Sequence, residues 1–301
     1  MEKPYILHMF TPARNLSPFD VNMALDAGWG AVPPYISVEA ADVTGLVQDA
    51  IFSRGPKGVR RTGIFIGGRD MNLAMDMLDL ARAAMVPPFE VSVFADPSGA
   101  FTTAAALVAV VEHHLAQSFG LGLEGVKVLI LGGTGPVGAA AAVIAAKAGA
   151  EVTILSRRID RAAEVAELCN HRYGSDITGI HGDINDHLPE LIEGVDVVMN
   201  TARAGIEVLG PELLARARRL KVAADVNAVP PAGIVGVGPM DDGVPLPGAP
   251  GGAVAVGALA IGNIKYQVQR RLLVRMRESE QPQYLHYEQA FEVARDYVRK
   301  P

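Results

Sequence analysis

The stretch Lys127–Arg158, KVLILGGTGPVGAAAAVIAAKAGAEVTILSRR, decides the fold. It opens on a short apolar run, passes through Gly133-Thr134-Gly135-Pro136-Val137-Gly138, continues as an Ala-rich helical pattern and ends on a second apolar run, EVTILS. A lone G-x-G-x-x-G is weak evidence. Placed after a strand and opening a helix, with a second strand ending about twenty residues on, it predicts a dinucleotide-binding unit. Gly133 is expected to permit the tight turn, Gly135 to let the backbone approach a pyrophosphate, and Gly138 to let the helix pack closely on the strand. Thr134, Pro136 and Val137 complete the loop, and the helix they open turns unpaired N–H groups and a partial positive charge toward the phosphates.

The end of the second strand selects the nucleotide. An Asp or Glu there would accept from the ribose 2′-hydroxyl of NAD, but the chain reads Leu155-Ser156-Arg157-Arg158. A small hydroxyl and two guanidinium forks thus stand where the 2′-phosphate of NADP would lie, which favours NADP with NAD possible. The competing reading makes one or both arginines solvated helix-capping charges.

Outward from this unit the pattern alternates strand and helix, an α/β rhythm. On the N-terminal side lie a strand over residues 5–10, a helix at PFDVNMALDAG, a helix over 40–52, a strand at GIFIGG, a helix over 70–85 and a strand at FEVSVFAD. A long Ala-rich helix runs from near Ser98, read as its cap, to Phe119, and GLGLEG follows as a Gly-rich connector. On the C-terminal side, repeated strand-helix-strand predicts a Rossmann-type parallel sheet with helices on both faces. Residues 228–252, rich in Pro and Gly, read as an irregular surface loop, and two helices over 262–280 and 287–300 close the chain, free to return to the first domain. The expected organisation is an N-terminal α/β domain over 1–120, a Rossmann domain over 121–262 and C-terminal helices over 263–301.

Composition agrees with this class. A chain of 301 residues, 50% hydrophobic, can bury two ordinary cores. Its apolar runs over 137–146 and 253–261 fall short of the ~20 residues of a membrane span, and the N-terminus reads as a strand rather than a leader, so a cytoplasmic protein without a membrane partner is expected. A net charge of -6 argues against a nucleic-acid partner. The single Cys169 reads as a core thiol. The seven histidines show no ligand spacing, so no metal site is expected, and without a G-x-S-x-G elbow covalent acyl chemistry is not expected either.

Several strings lie outside what the fold explains: SPFDVNMALDAG from Ser17, TGIFIGG from Thr62, FADPSGAFTTAAA from Phe94, DVNAVPPAGI from Asp225 and GALAIGNIKYQ from Gly257. Together with GGTGPVG they resemble, over essentially the whole chain, the bacterial NAD(P)-dependent methylene-tetrahydromethanopterin dehydrogenases of one-carbon metabolism. The resemblance implies hydride transfer from a methylene-pterin to NADP or NAD, a reduced pterin as substrate, a homo-oligomer, and a substrate cleft between the N-terminal, pterin-binding domain and the Rossmann domain. It places Asp20 and Lys265 against the pterin, as catalytic candidates. Asp96, Thr102 and Thr103 either shape that cleft or cap the long helix, and Asn227 in DVNAVPPAGI joins the cofactor-binding set. Two alternatives stand beside this reading: a methylene-tetrahydrofolate dehydrogenase, with or without cyclohydrolase activity, and a nucleotide-binding protein without chemistry.

The nucleotide assignment is open to direct test. Replacing Arg157 and Arg158 by uncharged residues should weaken NADP binding far more than NAD binding, since each charge-assisted contact to the 2′-phosphate contributes ~1.5–3 kcal/mol. Equal losses for both nucleotides by titration calorimetry would remove the arginines from the 2′-phosphate.

Overall fold

The computed structural model describes residues 3–158, 160–180 and 184–299. In chain order the elements begin with β1 (Ile6–Phe10), α1 (Pro18–Asp26), β2 (Pro34–Tyr35), α2 (Val43–Phe52), α3 (Pro56–Val59), β3 (Thr62–Ile66), α4 (Met71–Ala83), β4 (Ser92–Ala95) and α5 (Ala100–Phe119). There follow β5 (Lys127–Leu131), α6 (Pro136–Lys147), β6 (Glu151–Leu155), α7 (Arg161–Tyr173), β7 (Ile177–Gly179), α8 (Ile184–Gly194), β8 (Val197–Asn200), α9 (Pro211–Leu214) and β9 (Val222–Asp225). The chain ends with β10 (Asp242–Pro245), β11 (Val254–Val256), α10 (Ala258–Glu278), β12 (Tyr284–Leu285) and α11 (Tyr287–Val298). Contacts divide it into one unit of Met1–Thr102 with Tyr266–Val293 and a second of Thr103–Lys265 with Ala294–Pro301.

The first unit is built on a sheet of order β12-β4-β3-β1-β2, with parallel pairing throughout. Parallel strands are covered on both faces and need apolar side chains at consecutive positions, which TGIFI supplies: all five residues of β3 are buried. Phe65 of β3 meets Phe94 of β4 edge to face, at 5.5 Å and 83°. Helix α4 lays Ala74, Met77, Leu78 and Ala81 against this layer, and Asp70 caps it by accepting from the N–H groups of Asn72 and Leu73. The C-terminal segment returns here, as the free ends of the pattern allowed. β12 pairs with β4, the Trp29 indole donates to the Leu273 carbonyl at 3.2 Å, and the Ser92 hydroxyl donates to that of Met276. At two residues, β12 is too short to leave a period-2 signal.

In the second unit the sheet order is β10-β11-β9-β8-β5-β6-β7, parallel apart from β10. Residues 138–145 of α6 are all buried, and Gly and Ala there let the helix sit close against the sheet. Residues 228–252, expected as an irregular loop, instead carry β10, paired antiparallel with β11, and send Ile234, Val237 and Leu246 into the core. The exposed, irregular strand DGVP hides its pairing behind Gly and Pro. Helix α5 stands where it was expected; the stretch from Pro97 to Phe119 is long and apolar enough to cross a membrane by length and composition, yet most of it is buried inside the fold.

Both sheets reverse direction at one place. In the first unit β1 has β2 on one side and β3 on the other; in the second β5 has β6 on one side and β8 on the other. At such a reversal the loops leaving the carboxyl ends of neighbouring strands diverge and open a crevice, the usual binding position in open parallel sheets.

Candidate active site

A cavity of about 460 Å³ opens at the reversal in the second unit, lined by the turn after β5 (Gly132, Thr134, Gly135), the end of β6 (Ser156, Arg157, Arg158) and the loop after β8 (Thr201, Ala202, Arg203). The left-handed residue of the turn is Gly132, at φ +74°, where a Cβ would lie 2.6 Å from the Ala202 backbone; the tight turn expected at Gly133 is thus made one residue earlier. Gly133 instead packs against Ile154 of β6, and Gly138 against Thr201 and the Gly132 carbonyl. At Gly135 a Cβ would meet nothing nearer than the Gly132 carbonyl oxygen at 3.6 Å. Helix α6 starts at Pro136, its N-cap Gly135 has no side chain to occupy the free N–H groups, and Val137 lies in its first turn.

These residues fit a dinucleotide carrying a 2′-phosphate. The backbone at Gly135 faces open space, the start of α6 is uncapped, and Arg157 and Arg158 are exposed on the cavity wall. The Ser156 hydroxyl accepts from the Arg158 N–H at 3.2 Å and sets the turn that presents them. Asp160, rather than either arginine, occupies the N-cap position of α7. Arg203 adds a third guanidinium and Glu207 an opposing carboxylate, neither of which the sequence singled out.

Beneath this cavity Asp225 is 1% exposed and accepts four hydrogen bonds: from Asn200 Nδ2 and Asn227 N on Oδ1, and from Gly233 N and Ile234 N on Oδ2, at 2.7–3.1 Å. Asn200 in turn accepts from the Ala202 N–H at 3.2 Å. The carboxylate so fixes the loops after β8 and β9. Asn227 belongs to this scaffold and is absent from the cavity lining: its carbonyl oxygen accepts from Gly205 and Val229, and its amide donates to the Pro231 carbonyl.

A second cavity, of about 570 Å³, opens at the reversal in the first unit. Thr11, Arg14, Asn15 and Ser17 reach it from the loop after β1, Asp20 from α1, Gly68 and Arg69 from the loop after β3, and Ser98 from the turn after β4. Asp20 is 3% exposed and accepts from Nε2 of Gln269, itself fully buried, at 2.9 Å. Gln269 carried no motif and escaped sequence reading. Lys265 is half-buried on α10, four residues before Gln269 and so on the same side of that helix. Asp96 is fully buried and caps the start of α5, accepting from Phe101 N, Thr102 N and Thr102 Oγ1 at 3.0, 3.2 and 2.7 Å. Of the two roles open to Asp96 and Thr102, this geometry displays the cap. Thr103, the next residue, is half-buried on α5. Ser98, expected as the cap, sits at φ +53° and donates to the Gly68 carbonyl at 2.7 Å instead.

Other reactive groups lie elsewhere. Cys169 on α7 is 2% exposed, and burial pushes its thiol up to about 11, which leaves it protonated and inert. His114 Nε2 pairs with Asp242 at 2.7 Å, and burial, then the adjacent His114, hold the His113 imidazole below its ordinary pKa. Among the described residues no group of three or more His, Cys, Asp or Glu side chains is placed to hold a metal ion, and His181 lies outside those residues.

The two glycines of the turn should respond differently to substitution. Gly135→Val has room for its side chain and should fold while losing nucleotide binding, because the valine fills the approach to the pyrophosphate. Gly132→Ala should instead lower stability by about 1–3 kcal/mol, since it forces a Cβ into the left-handed region and against backbone. Thermal melts with and without NADP separate the two, and wild-type nucleotide affinity in Gly135→Val would remove this loop from the binding site.

The geometry accords with known proteins. Residues 18–98 match the family described as methylene-tetrahydromethanopterin dehydrogenase, N-terminal, and residues 109–212 match the alanine dehydrogenase/PNT C-terminal domain. The chain is 45% identical over 290 residues to the NAD(P)-dependent methylenetetrahydromethanopterin dehydrogenase of Methylorubrum extorquens, covering 96% of this chain and 97% of that one. It is 31% identical over 274 residues to the bifunctional protein MdtA of the same organism, covering 91% and 92%. Among solved structures, ligand-free 5-ketofructose reductase of Gluconobacter shares the fold, with a TM-score of 0.51 at 18% identity over 98% of this chain and 99% of that one. With a nucleotide cradle at one sheet reversal, a buried carboxylate at the other, and this level of identity along nearly its whole length, the chain belongs to the methylene-tetrahydromethanopterin dehydrogenase family.

Proposed function

We propose that this protein oxidises the methylene group of methylene-tetrahydromethanopterin to the methenyl form, with NADP, or NAD, as acceptor, and that the pterin binds at the Asp20 cavity. The observation that carries the reading is the buried Asp20 carboxylate, held by Gln269 at 2.9 Å on a polar cavity separate from the nucleotide cradle. The 45% identical relative, named for the same reaction, supports it, and the tetrahydrofolate and non-catalytic readings have no comparable support.

When bound, the nicotinamide supplies the hydride acceptor. Loss of hydride from a carbon flanked by two nitrogens leaves a cation that those nitrogens stabilise, so no proton must leave carbon and no base is required. What remains for the protein is orientation and tolerance of growing positive charge. Asp20 supplies a fixed negative charge for that cation, and Gln269 locks the carboxylate so that little reorganisation accompanies the reaction. Lys265 is assigned to hold a carbonyl oxygen of the pterin. Asp96 and Thr102 act at a distance by fixing the first turn of α5, with Thr103 following on. Gly133, Thr134, Gly135, Pro136, Val137, Ser156, Arg157 and Arg158 hold the nucleotide, with Asn227 setting the loop beside it.

We also place the enzyme in the cytoplasm as a homo-oligomer. Light scattering reads the oligomeric state directly.

Asp20→Asn keeps an acceptor for Gln269 but removes the charge. It should cut kcat by about 10²–10³-fold, as loss of a transition-state electrostatic contact does, with NADP affinity unchanged. Lys265→Ala should likewise depress pterin turnover while sparing NADP. Normal kinetics in both variants, measured at saturating NADP, would move the pterin to another site.

A further inference from the structure

The cavity around Asp20 holds more positive charge than the chemistry of a pterin ring requires. Its walls are loops tied to one another at the carboxyl edge of the sheet. The Gly67 N–H donates to the Phe10 carbonyl at 2.8 Å, Ser98 Oγ donates to the Gly68 carbonyl, and Gly68, at φ +107°, lies so close to Pro12 that a Cβ would come within 3.0 Å of it. The loop after β1 is braced again where the Ala13 N–H donates to Thr11 Oγ1 at 3.2 Å and the Ala13 carbonyl accepts from the Ser37 N–H at 3.0 Å. Arg14 and Arg69 follow directly on Ala13 and Gly68.

Both arginines are exposed, both line the cavity, and neither makes an ion pair within the described residues. The carboxylate that lines it, Asp20, is buried and bonded to Gln269. Ser17, the N-cap of α1, makes no side-chain cap bond, so the partial positive charge of that helix end adds to the two guanidinium groups. Such a field opposes the reaction assigned to the site, because hydride loss creates positive charge on the substrate. An anion bound to the arginines cancels that opposition, and planar forks suit a carboxylate or phosphate.

We propose that Arg14 and Arg69 bind an anionic group, carboxylate or phosphate ester, on the tail that the substrate carries beyond its pterin ring, and so set substrate specificity. This rests on the pterin reading of the Asp20 cavity. Two substrates test it at saturating NADP: the methylene pterin with its whole tail, and the same ring bearing only a methyl group in place of the tail. For the wild type the ratio of kcat/KM between tailed and tail-less substrates should be about tenfold or more, the usual weight of charge-assisted contacts, and in Arg14→Gln/Arg69→Gln it should fall toward unity. Truncation in two steps, phosphate ester first and carboxylates second, assigns the loss to one group. As a check on the wild type alone, added salt should raise KM for the tailed substrate and leave that of the tail-less one nearly constant. A ratio unchanged by the double substitution, or a salt effect shared equally by both substrates, overturns the proposal. Failure of the pterin reading looks different: Asp20→Asn and Lys265→Ala then turn over both substrates at the wild-type rate.

Discussion

Parallel pairing is the constraint from which the rest follows. Strands that run the same way cannot be joined by tight turns, so each connection crosses a face of the sheet and every strand ends at one common edge. Where the strand order reverses, beside β1 in one unit and beside β5 in the other, adjacent loops are drawn apart and leave a space that no side chain of the sheet fills. Both cavities stand at these positions, lined by residues of those loops and of the helices that follow them. Chemistry enters through the loops because the sheet itself leaves them unpacked.

Openness at those edges must be held open, and the two units do so differently. In the second unit the backbone is pressed together at Gly132, Ala202 and Gly138, where side chains are excluded, while Asp225 gathers four donors under the cavity. A buried carboxylate with no facing cation is costly unless its lone pairs are filled, and here neutral donors fill them. In the first unit the bracing is by side chains and a left-handed serine: Ser98 on Gly68, Asp96 on the start of α5, and Gln269 on Asp20. A non-glycine residue at φ +53° costs about 1–3 kcal/mol and persists only where its surroundings fix it, which the bond to Gly68 does.

Where a local rule generates an element, that element is legible in the sequence. The strands flanking the turn at Lys127–Arg158, the apolar period of α4 and the run of β3 each follow from short-range chemistry and stand where they were expected, while the tight turn itself falls one residue early, at Gly132. Pairings of two to four residues do not announce themselves. β12 is two residues long, β11 three, and β10 mixes Gly and Pro with exposed side chains, so only the partner strand reveals them. Site residues divide in the same way. Gly135, Ser156 and the two arginines could be named because a motif fixes their spacing. Gln269 and Arg203 could not, because what marks them is proximity across 249 residues in one case and a loop position in the other. Ser98 does not cap α5 for a related reason: Asp96, two residues earlier, competes for the same N–H groups and wins with a charge.

The charge balance reconciles the composition with the ligands. A net charge of -6 disfavours binding to nucleic acid, where many phosphates must be met at once along an extended surface. It does not disfavour a small anion. At physiological salt a charge is felt over about 8 Å, so a ligand in a cavity responds to the groups lining it rather than to the sum over the molecule. Arg157, Arg158 and Arg203 line one cavity against Glu207, and Arg14 and Arg69 line the other against a buried Asp20. Positive charge thus lines both cavities, and the surplus acid lies elsewhere on the surface. Among the described residues, Asp20 is the one carboxylate lining the first cavity, and for the reaction proposed there a single negative charge is what turning a neutral methylene into a cation requires of its surroundings.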